Sequence, residues 1–279
     1  MKALLPLLAT LLLPTQIVGA SEFDLSHRAW TELLAKYVVL IDQGRASRVA
    51  YADLQADERL QNYLAALSAV TVKEFAAWDK RDRLAFLINA YNAFTLKLIL
   101  TRYPKLESIK DLGSLLRSPW EQQFFTLLGR EQSLDDIEHE TIRKPGAFDD
   151  ARIHMAVNCA SIGCPMLREE AYVGARLDTQ LDDQVRRFLS DRTRNRYSEV
   201  SKTLQVSNLF KWYAEDFSRG YRGIRSVQEF LAPHAEVLAD RPAYQALIRT
   251  GQAPLDYLDY DWGLNDREPE GRGTGRGSR

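Results

Sequence analysis

The sequence is poor in the residues on which several common classes of protein depend. Only two of its 279 residues are cysteines and only four are histidines. It contains no glycine-rich phosphate loop, no G-x-S-x-G turn and no H-E-x-x-H helix. The sequence signatures of nucleotide-binding proteins, serine hydrolases and zinc proteases are therefore missing, and these classes receive no support.

An excess of charge of one sign is also lacking. The 37 lysines and arginines nearly balance the 38 aspartates and glutamates, which gives a formal net charge of −1. A balanced chain produces no overall field that would attract nucleic acid or the anionic face of a membrane. We therefore expect no nucleic-acid partner.

A hydrophobic run without charge stands at the start of the chain. Lys2 is followed by an apolar run over residues 3–13, and Val18-Gly19-Ala20 supplies small residues where a signal peptidase cleaves. This order predicts a secretory signal peptide over residues 1–20, with an uncleaved anchor as the alternative. The run is shorter than the roughly 20 residues that cross a bilayer, and we expect no later window to be long and uncharged enough. The expected protein is therefore periplasmic or secreted, with no membrane span after cleavage.

The chain does contain enough apolar residues for a core, since 45% of them are hydrophobic. Apolar side chains recur at helical spacing in most of the sequence. The predicted helices cover residues 30–39, 51–70, 83–103, 177–189, 208–217 and 227–238. The sequence therefore predicts a mainly α fold with a few short β-strands, of the α+β class. We expect one globular domain over residues 21–265 and a disordered, glycine-rich tail over residues 266–279.

Strands are predicted in only a few places. Residues 124–128 favour a strand, and residues 197–200 and 203–206 favour a hairpin. The apolar string 153–159 fits a buried strand or a short helix, of which we favour the helix. An extended aromatic segment at 260–262 is expected to dock on the core.

The rarest residue types lie close together in the sequence. His139, His154, Cys159 and Cys164 fall within 26 residues of each other. A thiol needs a neighbour that lowers its pKa before it can attack near neutral pH, and an imidazole held by a carboxylate or amide is the usual partner. The candidate catalytic residues are Cys159, His154, His139 and Glu138, and the candidate substrate-binding amides are Asn89, Asn92 and Asn158. Asn158 is also an alternative to Glu138 for holding the imidazole.

Cys159 is the better candidate nucleophile of the two cysteines. Cys164 precedes Pro165, whose ring restricts it toward extended conformations. Three other interpretations compete with a reactive thiol: ordinary packing of a buried cysteine and histidine, a disulfide between Cys159 and Cys164, and a zinc site. The spacing matches no zinc finger or knuckle, so we assign no metal and no cofactor.

Four sequence blocks resemble a known family. They are residues 86–93 (FLINAYNA), 136–139 (DIEH), 154–165 (HMAVNCASIGCP) and 260–265 (YDWGLN). In this order they are similar to the signature blocks of the family named domain of unknown function 547. The resemblance implies a bacterial exported or envelope protein and implies no reaction.

Two classes of function stay open at this point. The first is a cysteine-dependent hydrolase or acyl transferase of the envelope, with Cys159 as nucleophile and a histidine as base. The second is a non-catalytic domain that binds a small molecule or an envelope partner and is stapled by a Cys159–Cys164 disulfide. A reduced, reachable Cys159 beside a histidine favours the enzyme.

The predicted export has a direct test. If residues 1–20 are a cleaved signal peptide, protein recovered from the exported fraction should begin near Ser21. N-terminal sequencing measures this, and an intact Met1 on the folded protein would contradict it.

Overall fold

The computed structural model describes residues 22–114 and 117–267. The predicted signal peptide and residues 268–279 of the predicted tail lie outside the described residues. The helices are α1 (Arg28–Tyr37), α2 (Tyr51–Leu54), α3 (Arg59–Ala69), α4 (Val72–Ala77), α5 (Lys80–Leu100), α6 (Leu177–Ser190), α7 (Leu209–Trp212), α8 (Val227–Leu231), α9 (Ala235–Leu238) and α10 (Pro242–Arg249). The strands are β1 (Val38–Ile41), β2 (Ala46–Val49), β3 (Phe125–Leu127), β4 (Arg130–Gln132), β5 (Arg196–Ser198), β6 (Thr203–Ser207) and β7 (Leu255–Leu258). The predicted fold class, mainly α with a few short strands in a single domain, is confirmed.

Helix α5 forms the centre of the first hydrophobic core. It begins where the Asp79 carboxylate accepts hydrogen bonds from the backbone N–H groups of Arg81 and Asp82. Its apolar residues surround the whole helix, so it is buried on every side. By length and composition α5 could cross a membrane, which corrects the expectation that no later window would qualify, but 83% of its most apolar window is buried inside the protein. It is therefore a core helix.

A second hydrophobic core lies in the C-terminal part of the described chain. Helices α6 to α9 contribute to it, and its largest fully buried side chains are Phe188, Phe210 and Phe217. Strands β5, β6 and β7 form a three-stranded sheet beside this core, antiparallel between β5 and β6 and parallel between β6 and β7. The sheet brings the aromatic segment that follows β7 back toward the first core.

The predicted elements differ from the structure mainly in length. Helix α6 and the hairpin β5–β6 are confirmed, and the predicted strand at 124–128 is β3, paired with β4. The predicted helix at 30–39 ends at Tyr37, because the next residues pair as β1 with β2. The predicted helices at 51–70, 208–217 and 227–238 are broken into shorter ones. In these cases tertiary pairing and short turns override the helical period.

The C-terminal segment returns to the N-terminal helices. The Tyr51 hydroxyl donates to Asn265 Oδ1 at 2.7 Å, and Arg267 forms an ion pair with Asp53 at 2.6 Å. The chain is thus still packed at Arg267, inside the region predicted as tail.

Asn92 ties α5 to the segment that carries the rare residues. Its side-chain amide donates to the carbonyl of Ala156 at 2.9 Å, and its Oδ1 accepts from the N–H of Asn158 at 2.8 Å. The Asn92 amide is therefore buried against the 139–164 segment.

Replacing Asn92 by leucine should destabilise the fold by about 1–3 kcal/mol, because a buried N–H and a buried C=O lose their partners. Urea unfolding measures this. Asn62, exposed on α3, provides the control: Asn62→Leu should change the free energy of unfolding by less than about 0.5 kcal/mol. Equal effects of the two substitutions would contradict a structural role for the buried amide.

Candidate functional site

The site is built around a short loop between Cys159 and Cys164. The Asn158 side chain clamps the loop at both ends: its Nδ2 donates to the Pro165 carbonyl at 2.8 Å and its Oδ1 accepts from the Ala160 N–H at 2.9 Å. Ala160 has a φ of 59°, in the left-handed region, so this turn is strained and needs such support. The loop conformation is therefore fixed by an amide that lies behind it.

A second set of contacts holds the loop from outside. The N–H of Ile162 donates to the Gly263 carbonyl at 2.7 Å, and the N–H of Gly163 donates to the Asp261 carbonyl at 2.8 Å. A Cβ on Gly163 would lie 2.9 Å from the Asp261 backbone, so only glycine allows this approach. The Arg194 guanidinium also donates to the Cys164 carbonyl.

Cys159 presents a half-buried thiol, whereas Cys164 is buried. The Cys159 sulfur lies 3.1 Å from Ser161 Oγ and 3.2 Å from the Tyr260 hydroxyl, and its own N–H donates to the Cys164 sulfur at 3.1 Å. A hydrogen bond from the Cys164 thiol, together with those from Ser161 and Tyr260, lowers the pKa of Cys159, although burial opposes them. Burial raises the pKa of Cys164. Both thiols are free here, and the disulfide stays a prediction for the oxidised protein.

His154 is fully buried at the end of a 3-10 helix, Ala151–Met155, where the sequence predicted a short helix. Its Nε2 lies 2.6 Å from Asp216 Oδ2, and its ring stacks on Tyr213 with centroids 3.9 Å apart. Its Nδ1 faces Glu138 Oε1 at 4.0 Å, and neither of these buried atoms has a hydrogen-bond partner in the described residues. Burial lowers the pKa of His154, with the Asp216 and Glu138 carboxylates opposing the shift. The imidazole is therefore neutral near pH 7.

Asp216 holds the imidazole and is itself held by two arginines. Its carboxylate forms ion pairs with Arg143 and Arg219, the latter at 2.9 Å. Burial alone would raise the pKa of Asp216, but hydrogen bonds from His154 and Arg143 keep it far below its ordinary value. The carboxylate is therefore ionised throughout the physiological range.

His139 lies at the outer end of the same network. It belongs to a π-helical segment, Asp136–Ile142, at whose start the Ser133 and Asp136 side chains accept hydrogen bonds from each other's backbone N–H groups. Its Nδ1 contacts Arg143 and its Nε2 lies 3.4 Å from Asp135, whose hydrogen bond raises the pKa of His139. The His139 side chain is 37% exposed. Arg143 thus connects the exposed histidine to Asp216 and the buried one.

The candidate catalytic residues lie around one cavity of about 190 Å³. Cys159, His154, His139 and Glu138 all line it. Tyr91 of the first core and Leu209 of the second also line it, so the cavity lies where the two cores meet. An aromatic wall of the cavity contains Trp120, Trp212, Tyr260 and Trp262, whose rings contact one another. Asp135, Val157 and Cys164 also line the cavity.

The amides that the sequence predicts to bind substrate lie outside this cavity. Asn89 and Asn92 do not line this cavity: Asn89 Nδ2 donates to the Tyr172 carbonyl at 2.7 Å and its Oδ1 accepts from the Tyr172 N–H at 3.0 Å. Asn158 is occupied in clamping the loop, and it lines a separate cavity beyond it. The three amides position backbone, and none of them holds the imidazole.

Sequence reasoning missed Asp216 and Tyr260. Asp216 is 62 residues from His154 and Tyr260 is 101 residues from Cys159. Tyr260 was within a recognised block, but nothing in its surroundings indicated a contact with the thiol. Asp216 followed a predicted helix and carried no signal that distinguished it from other acidic residues.

The described residues contain no group of three or more histidine, cysteine or acidic side chains placed to hold a metal ion. Two of the histidine nitrogens that could bind zinc are engaged by other groups. Nε2 of His154 bonds Asp216, and Nδ1 of His139 contacts Arg143.

Comparison with known proteins identifies one family. Residues 75–189 match the family model described as protein of unknown function, DUF547, and the chain resembles that family over this segment. The matched segment contains Cys159, both cavity histidines and Glu138, whereas Asp216 and Tyr260 lie beyond it. No curated protein and no solved structure matches the chain.

The hydroxyl contacts of Cys159 predict how the rate of its alkylation depends on pH. Because hydrogen bonds lower its pKa, alkylation of Cys159 by iodoacetamide should reach half its maximal rate below about pH 8.5, the ordinary thiol value. Tyr260→Phe removes one donor and should move the midpoint upward. Peptide mass spectrometry distinguishes the two cysteines. Tyr257→Phe, on β7 and outside the cavity lining, should leave the curve unchanged, and identical midpoints in all three proteins would show that the hydroxyl contact has no effect.

Proposed function

We propose that this cavity catalyses thiol-dependent acyl transfer, as a hydrolase or an acyl transferase. The observation that carries the proposal is the shared cavity: a thiol with lowered pKa and an imidazole held by a carboxylate both line it. A nucleophile and a base that is oriented by a third group are the requirements of covalent acyl catalysis.

In the first half-reaction, the Cys159 sulfur attacks the acyl carbon and forms a thioester as the leaving group departs. Ser161 and Tyr260 favour the thiolate through their hydrogen bonds, so the nucleophile does not depend on a charged histidine. The thiol proton must end on the leaving group. Neutral His154 is the base in the cavity that accepts this proton from the thiol and passes it to the leaving group.

In the second half-reaction, His154 takes a proton from water or another acyl acceptor, which attacks the thioester carbon. The C–S bond then breaks, and His154 returns the proton to the sulfur. Its Nε2 is engaged by Asp216, so Nδ1 is the nitrogen that receives the proton. Glu138 Oε1, 4.0 Å away, favours the imidazolium formed. Glu138 thus stabilises charge, while Asp216 is a positioning residue.

The aromatic wall limits the substrate. Trp212 is 47% exposed and stacks on Trp262, so the wall presents ring faces to an entering molecule. Such faces bind planar or apolar groups. A cavity of about 190 Å³ admits the reacting end of a small acyl compound, with the remainder outside. We place this activity in the periplasm or outside the cell, in keeping with the predicted export.

An activated ester tests the proposal directly. Incubation with p-nitrophenyl acetate should transiently acetylate Cys159, which intact-mass and peptide measurements detect. In His154→Asn the acetyl-enzyme should accumulate, because loss of a general base slows deacylation by about 10²–10⁴-fold. Asp216→Asn should slow the same step. Cys159→Ser should form no acetyl thioester.

His234→Asn provides the matched control. His234 is partly buried and lines a different cavity, so its replacement should leave acetylation and deacylation unchanged. Equal deacylation in wild type and His154→Asn would refute the assigned base. If neither cysteine reacts until reductant is added, the disulfide-stapled binding domain describes the protein better.

A further inference from the structure

The two cysteines differ in burial and lie at the two ends of a loop whose backbone is held in one conformation. The Asn158 amide bonds both ends of this loop, and the Cys164 sulfur lies 3.1 Å from the Cys159 nitrogen. Both cysteines line the cavity, but Cys159 is half buried, whereas Cys164 is buried and has the Val157 carbonyl as a further neighbour. The reachable thiol therefore has a shielded thiol held beside it.

We infer that Cys159 is a site of oxidation by hydroperoxides and that Cys164 is its resolving thiol. This inference does not depend on acyl transfer, because it requires no acyl substrate and no histidine. It assigns to the loop a second chemistry in which the pair cycles between dithiol and disulfide.

The reaction balances with a hydroperoxide as oxidant. The Cys159 thiolate attacks one peroxide oxygen, the O–O bond breaks, and Cys159 becomes a sulfenic acid while hydroxide or an alkoxide leaves and takes up a proton. The Cys164 sulfur then attacks the sulfenic sulfur. An S–S bond forms, the S–O bond breaks, and water leaves with the Cys164 proton. A thiol reductant returns the pair to two thiols and is itself oxidised.

The surroundings favour Cys159 as the first target. Its sulfur contacts the hydroxyls of Ser161 and Tyr260, which favour the thiolate that reacts with peroxide. Cys164 is buried and has a raised pKa, so it reacts poorly with free oxidant. Its position beside Cys159 favours its attack on a sulfenic acid formed there. Its role in the pair is to remove the sulfenic acid before further oxidation.

The disulfide would also remove the nucleophile of the proposed acyl transfer. Oxidation then inactivates the site reversibly, whereas the sulfinic acid formed without a resolving thiol inactivates it permanently. The second cysteine thus protects the first.

Hydrogen peroxide is the probe for the test, applied to the reduced full chain without any acyl substrate. Wild type should lose two hydrogen atoms by intact mass, yield a Cys159–Cys164 linked peptide and recover fully with dithiothreitol. Cys164→Ser should instead accumulate a sulfenic acid on Cys159, which dimedone traps, and proceed to the sulfinic acid at higher peroxide. Cys159→Ser should leave Cys164 reduced under the same conditions.

Three results would overturn the inference: oxidation of Cys164 ahead of Cys159, formation of sulfinic acid on Cys159 at the same rate with and without Cys164, or no linked peptide in wild type. Circular dichroism of the two serine variants verifies that each is folded. Because acetylation by an activated ester is read separately, failure here and failure of acyl transfer are distinguishable.

Discussion

A chain of two buried amides governs the site. Asn92 on the core helix fixes the backbone at Ala156 and Asn158, and the side chain of Asn158 then fixes the loop that carries both cysteines. Buried amides with every partner in place act as rigid links, because losing any partner leaves a desolvated polar group unpaired. The position of the Cys159 sulfur therefore depends on α5, the helix at the centre of the first core. The thiol contacts with Ser161 and Tyr260 are a consequence of that placement.

The electrostatic part of the site depends on charged groups and not on neutral amides. Its central carboxylate, Asp216, is paired with cationic side chains and with His154. Asp216 begins the 3-10 helix Asp216–Ser218, beside the second core. It engages His154 and Arg143 from two distant segments and Arg219 from the end of its own turn. The two arginines neutralise this carboxylate, so it orients His154 without imposing a positive charge on it. Glu138 differs, since its Oε1 has no partner among the described residues. At this site an unpartnered carboxylate oxygen thus faces an unpartnered ring nitrogen, Nδ1 of His154.

The hydrophobic periodicity of the sequence was sufficient to predict the long helices but not the short helices and strands. Helix α5 could be predicted because its apolar pattern extends over many turns and ends before Pro104, whereas β1 and β2 exist only because Val38 pairs with Val49. The rarity of cysteine and histidine led to Cys159, His154, His139 and Glu138, which share one cavity. It could not lead to Asp216 or Tyr260, since common residues far along the chain give no signal until the fold brings them together. The amides were predicted to bind substrate, and no sequence signal distinguishes an amide that clamps backbone from one that binds a ligand.

The aromatic strap at residues 260–263 has a consequence for biosynthesis. It supplies the Tyr260 hydroxyl to the thiol, two carbonyl acceptors to the loop and two rings to the cavity wall, yet it is made about a hundred residues after Cys159. While the chain is being synthesised, the loop lacks these contacts and the thiol lacks one of its hydrogen-bond donors. The hydrogen bonds that lower the pKa of Cys159 are therefore complete only once the strap has docked, which couples the state of this thiol to completion of the domain.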